Sequence, residues 1–166
     1  MNPTTQIPTI AADGGVVASG EGEQQRWSET FVTEVKLEAP HLNLATFTMP
    51  RGAEPPLHVH EREDEFFYIL EGEITAYVGE REYVAGPGAV VWFPRGVPHT
   101  MAARTDTVRA FGGATPGGFL QFHRDVAGLF PDGVPDMPTP EQADLFADAC
   151  ARHGMTLLGP NPGHAA

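Results

Sequence analysis

Four side chains in this sequence have the types and spacing to hold a metal ion. His58 and His60 stand one residue apart in "PLHVH", Glu65 follows after the acidic run "EREDE", and His99 comes later in "PRGVPHT". In an extended strand alternate side chains share a face, so His58 and His60 point one way and Val59 the other. Two neighbouring imidazoles can hold one ion. An antiparallel return brings Glu65 opposite them, and His99, after the turn at Pro94-Arg95-Gly96, supplies a fourth donor. Three imidazoles and one carboxylate form a nitrogen/oxygen set suited to one divalent transition metal ion: Fe, Mn, Co, Ni, Cu or Zn. They leave positions open for a ligand or dioxygen. The single cysteine, Cys150, lies far along the chain, so a cysteine-type structural zinc site is excluded.

The elements that must position these residues are short. The chain has 166 residues, enough for one domain, and 41% hydrophobic content fits a globular protein. Between residues 27 and 114, β-branched and aromatic runs alternate with turns rich in Gly, Pro and acids. Strands are expected in "TFVTEVKL", "LNLATFTM", "PLHVH", "EFFYILEG", "EITAYVG", "EYVAG", "AVVWF", "HTMAAR" and "TVRAFGGA". This pattern predicts an antiparallel sandwich or barrel. Residues 1–26, rich in Thr, Pro, Gly and Glu, read as an N-terminal arm. Residues 115–166 read as a helical C-terminal extension. Thr115-Pro116 predicts the start of one helix. Thr139 with Gln142, Pro140 between them and Gly154 at the end predict another, with Ala143, Phe146, Ala147 and Cys150 on its apolar face. The helices are expected to pack outside the barrel; a lid over its mouth is the sharper alternative.

Ten Lys and Arg against 22 Asp and Glu give a formal charge of −12. Such a surface repels phosphate backbones, which argues against nucleic acid and anionic membrane as partners. One cysteine suits a reducing compartment, and the first residues lack the basic start and apolar run of a signal peptide, so a cytoplasmic protein is expected.

Residues 52–72 and 88–99 together resemble the two motifs of the cupin family. The first runs Gly52, five residues, His58-x-His60, four residues, Glu65, six residues, Gly72. The second runs Gly88, five residues, Pro94-x-Gly96, two residues, His99, and 15 residues separate the two. One position departs: Ala103 stands where the second motif usually ends in asparagine. The resemblance, closest to small single-domain cupins of the quercetin 2,3-dioxygenase-like type, implies an all-β fold, a cupin jelly-roll β-barrel. It also implies a metal held by His58, His60, Glu65 and His99. Glu65 would in addition be the catalytic base that takes the hydroxyl proton of a flavonol before dioxygen inserts and carbon monoxide leaves. Other cupins of this size are cyclases, isomerases, lyases or binding modules, and these remain alternatives.

The expected substrate is a small aromatic or apolar molecule. Phe67 and Ile69 share the face of Glu65, and Met101 shares that of His99; Phe47, Val91, Phe93 and Phe111 on neighbouring strands are the other candidate pocket residues. No inward cluster of Arg or Lys is visible, which argues against a sugar phosphate. His41, His123, His153 and His164 read as ordinary surface or core histidines. Edge strands of small barrels are commonly covered by a second chain, so a homodimer is expected, with residues 27–38 as the candidate edge.

Overall fold

The apolar runs pair into two antiparallel sheets that face each other. The structure, a computed structural model, describes residues 14–27, 30–133, 135 and 138–164; of the expected arm, residues 1–13 lie outside these. Strands β1 (Gln24–Arg26), β2 (Val32–Ala39), β3 (Leu42–Pro50), β4 (Leu57–His60), β5 (Asp64–Glu71), β6 (Ile74–Val78), β7 (Arg81–Ala85), β8 (Val90–Phe93), β9 (His99–Ala103), β10 (Thr107–Thr115) and β11 (Met155–Gly159) are joined by helices α1 (Phe119–Leu129) and α2 (Pro140–Arg152) between β10 and β11. One sheet has the order β1-β2-β3-β10-β5-β8 and the other β11-β4-β9-β6-β7. Inward residues alternate with outward ones as the strand period requires: along β10, Val108, Ala110, Gly112 and Ala114 are buried while Arg109 is exposed. Met49, Ile69, Ile74, Phe93 and Val108 fill the space between the sheets. Among the described residues no helix is long and apolar enough to cross a membrane.

Gly112 is needed where it stands. A Cβ there would lie 2.4 Å from Cδ1 of Phe67 and 2.3 Å from the carbonyl oxygen of Phe66. Its absence lets the Phe67 ring lie flat against β10, edge-on to Phe47 at a centroid distance of 4.8 Å.

The C-terminal segment matches its sequence signals in part. Helix α2 has the expected capping box: the Thr139 hydroxyl accepts from the backbone N–H of Gln142, and the Gln142 side chain accepts from that of Thr139. The expected start of α1 at Thr115-Pro116 is not observed. Thr115 is still paired with Asp64 as the last residue of β10, and the helix begins at Phe119 after Gly118. The tail beyond α2, read as part of a helical extension, forms β11. Gly154, with φ of 72°, takes a left-handed conformation that ends the helix and turns the chain back. β11 then pairs with β4, placing Met155 opposite His60 and Leu157 opposite His58. The two helices join β11 in a second apolar cluster around Phe122, Val126, Phe130, Ala149 and Cys150. They lie outside the sheets, as expected, and their inner faces also close one end of the barrel.

At the other end of the chain, β1 takes up part of the segment expected as an arm. It pairs Gln24, Gln25 and Arg26 with Glu34, Thr33 and Val32, so part of the edge expected to meet a second chain is covered by the same chain. Arg124 of α1 locks this corner. Its guanidinium bonds Glu23 at 2.6 Å and Glu38 at 2.7 Å, both partly buried. The hydrogen bond from Arg124 holds the Glu23 carboxyl below its ordinary value of 4.5. A depressed carboxylate contributes stability above the unfolded pKa and loses it as pH falls through the folded one. Arg124→Met is therefore expected to destabilise the fold by about 1 kcal/mol at pH 7. The gap to the wild type should close progressively in melts as pH falls from about 4.5 through the depressed pKa of Glu23.

Candidate metal centre

His58 and His60 project from β4 and His99 from β9, neighbouring strands of one sheet in which His58 and His99 are directly paired. Glu65 projects from β5 of the opposite sheet. All four are buried. The imidazole centroids lie 5.0 Å (His58–His60), 4.6 Å (His58–His99) and 5.3 Å (His60–His99) apart. One donor atom from each of the four lies within 4.8 Å of every other, so the group can hold a metal ion. The structure brings these four residues, grouped by their spacing in the sequence, to one point between the sheets.

The backbone sets the direction in which the rings face. Nδ1 of His58 lies 2.8 Å from the carbonyl oxygen of Pro56, and Nδ1 of His99 lies 2.8 Å from that of Val97. A carbonyl can only accept, so each Nδ1 carries the proton and each Nε2 presents a lone pair to the centre. His60 has a different neighbour. Its Nδ1 faces the buried carboxylate of Glu63 across 3.6 Å, longer than a hydrogen bond.

The donor set fits a divalent ion by its unmet needs. Both ring nitrogens of His60 and Nε2 of His99 are buried without a hydrogen-bond partner. Nε2 of His99 faces Glu65 at 3.7 Å, too long for a hydrogen bond and suited to two atoms that share a cation. Burial, with the nearby charge of His99, pushes His58 down to about 4, so it is a neutral ligand at neutral pH. Burial raises the Glu65 carboxyl, but the three histidines outweigh it and hold the group below its ordinary value. Glu65 is therefore held toward its carboxylate form, the form that ligates a cation.

The centre opens into a cavity of about 700 Å³, within the range of small-molecule sites. Of the expected pocket residues, Phe47, Phe67, Phe93 and Met101 line it. Ile69 and Val91 face inward but belong to the packed core. Phe111 does not reach the cavity. It alternates with buried Ala110 and Gly112 and lies on the outer face of β10 beside the exposed Tyr68. The sequence offered no ligand on β10 to anchor which residues face inward, and Phe111 was assigned the wrong parity.

Sequence reasoning missed the wall built by the helices. Phe119, Phe122 and His123 of α1, Phe146 of α2, and Trp27 before β2 all line the cavity. The Phe119 ring meets that of His60 edge-on at 4.8 Å. The apolar spacing of Phe119 and Phe122 marked an inner helix face, but nothing local said what it would cover. Glu54 was also missed. Its buried carboxylate accepts from the backbone N–H groups of Gly52 and Ala103, both at 2.7 Å, and lies 2.9 Å from Nε2 of His164. Asn161, from the tail, donates to the carbonyl oxygens of Pro55 and Met101 and to the Thr100 hydroxyl. Next to the alanine at position 103, the inner polar contacts thus come from Glu54 and Asn161. His153 pairs with Asp125 at 2.8 Å, away from the centre.

Metal analysis of purified variants checks the ligand assignment. His60→Ala is expected to lose most of the bound ion, because it removes one of four donors. His153→Ala is expected to keep it, because that imidazole bonds Asp125 instead.

Comparison with known proteins agrees with this geometry. The cupin domain family matches residues 45–111, a span that contains all four candidate ligands. Quercetin 2,3-dioxygenase of Bacillus subtilis (strain 168) is 26% identical over 125 residues; the match covers 74% of this chain but only 37% of that enzyme's length. Among solved structures, KdgF from Halomonas sp. has a TM-score of 0.59 at 19% identity, covering 65% of this chain and 98% of its own. An RmlC-like cupin from Shewanella frigidimarina NCIMB 400 has a TM-score of 0.56 at 20% identity, covering 61% of this chain and 90% of its own. These two likenesses concern the fold. The motif residues, the two facing sheets and the family match agree that residues 45–111 form a cupin domain.

Proposed function

We propose that the protein is a metal-dependent dioxygenase acting on an enolic or phenolic aromatic such as a flavonol. One observation carries the reading: a buried three-histidine, one-glutamate cluster sits in the wall of a cavity lined chiefly by apolar side chains, several of them aromatic. The resemblance to a quercetin 2,3-dioxygenase supports it. His58, His60, Glu65 and His99 would hold the ion. Bound there, the ion supplies a Lewis acid, an open face for a substrate oxygen, and electrons for dioxygen chemistry if it is redox-active.

The chain's own residues do the rest. Phe47, Phe67 and Phe119 give a flat ring system apolar walls and keep water from the reacting carbons. Among the described residues no Arg or Lys lines the cavity, so an uncharged aromatic is favoured over a phosphorylated sugar. Glu65 faces the same space as the substrate hydroxyl and is ionised. A carboxylate beside a cation is a weaker base, but a hydroxyl in the same field is a stronger acid, so proton transfer between them stays near balance.

Glu65→Gln keeps the shape and an oxygen donor but cannot take the proton. It is expected to retain much of the metal and to lose oxygenation of quercetin by about 10²-fold or more; an unchanged rate would reduce Glu65 to a ligand. Oxygen-electrode assays of the wild type, loaded in turn with Fe, Mn, Co, Ni and Cu, test the whole reading. No uptake with quercetin would favour Lewis-acid chemistry without oxygen. A two-fold homodimer belongs to the same proposal, supported by the exposed Tyr68, Val90 and Trp92 on the outer face of β5 and β8. Sedimentation at micromolar concentration showing only monomer would remove it.

A further inference from the structure

Among the aromatic rings that α1 sets over the cavity there is one polar ring, His123. Its Nδ1 accepts a hydrogen bond from the indole Nε1 of Trp27 at 3.3 Å, and the two rings meet edge-on at 4.7 Å. An indole nitrogen only donates. The Nδ1 lone pair must therefore face Trp27, and the proton of a neutral His123 is confined to Nε2. Burial pushes this imidazole down to about 4, so the neutral form is the one present at neutral pH.

The second nitrogen has no such partner. Among the described residues, the only hydrogen bond to His123 is the one from Trp27. The neighbouring rings are apolar: Phe119 at 5.1 Å and Phe122 at 5.9 Å. His123 nevertheless lies near Glu65 and His60. Phe119, which touches it, also touches His60. A residue that lines a largely apolar cavity thus keeps its second ring nitrogen as the N–H donor, one ring's width from the metal-binding cluster. The side chain is half-buried, so a molecule entering the cavity can reach it.

We infer that His123 is a substrate-binding residue whose Nε2–H donates a hydrogen bond to the second oxygen of an aromatic hydroxyketone. The first oxygen of that ligand sits among His58, His60, Glu65 and His99. Two polar points, one at the cluster and one on α1, fix the orientation of a flat molecule that apolar walls alone would let rotate. This assignment rests on the proposed reading of the cavity as a site for an enolic or phenolic aromatic, and it selects within that class ligands that carry a carbonyl or second hydroxyl.

The test is binding of 3-hydroxyflavone to the zinc-loaded protein, followed by fluorescence, since zinc does no redox chemistry and binding is read without turnover. His123→Phe keeps a ring and removes the donor; it is expected to bind the probe about tenfold more weakly, with zinc content unchanged. His123→Gln restores an N–H at a similar reach and is expected to stay within about threefold of the wild type. Equal affinity in the wild type and His123→Phe overturns the inference, and so does a His123→Gln as weak as His123→Phe, which would assign the loss to packing. Imidazole ¹⁵N chemical shifts of the wild type give a check free of any folding defect. An Nε2–H signature for His123 is expected, and an Nδ1–H signature overturns the inference. A wild type that binds zinc but no 3-hydroxyflavone overturns the hydroxyketone reading itself, a result distinct from equal binding by wild type and variant.

Discussion

The pairing of β4 with β9 is the contact on which the site depends. It sets His58 directly opposite His99, while the two-residue period of β4 puts His60 on the same face. The third element, Glu65, comes from the facing sheet, so the distance between sheets decides whether a carboxylate can share an ion with three imidazoles. That distance is held by the packed core around Met49, Ile69 and Phe93. Apolar packing and metal ligation are therefore coupled, and a change in core volume would be felt at the ligands.

The same closeness makes the cluster costly without a cation. Buried ring nitrogens without partners each cost about 1–3 kcal/mol, and His60 and His99 leave three such atoms between them. The backbone carbonyls of Pro56 and Val97 already satisfy the outer nitrogens of His58 and His99, which aims the remaining ones inward. A site organised in this way binds by preorganisation: the ion meets donors already turned toward it. Glu63, facing the outer nitrogen of His60 at 3.6 Å, is the looser counterpart of those two carbonyls.

The C-terminal segment gives the cavity beside the cluster a wall that comes from outside the barrel. β11 lies against β4 beside the histidines, Asn161 ties the tail to β9 and to Pro55, and Arg124 ties α1 to the opposite corner through Glu23 and Glu38. The aromatic wall thus comes from residues far apart in sequence, Trp27 at one end and Phe146 near the other. Specificity on this scaffold is set by that wall more than by the ligands, because many chemistries can share one donor set.

The strands, the turns between them and the grouping of the four candidate ligands were legible in the sequence because their patterns are local. A period of two shows which residues share a face, and glycine and proline mark where a strand must end. The capping box of α2 was legible for the same reason: its bonds join residues three apart. What the sequence could not settle was which face meets which. The parity of Phe111 needed the register of β10 against β5, the start of α1 needed Thr115 paired with Asp64, and β11 needed β4 beside it. The role of His123 depended on Trp27, 96 positions away. Local geometry is written in neighbouring residues; the cavity is made of contacts between distant ones, and only the folded chain chooses among them.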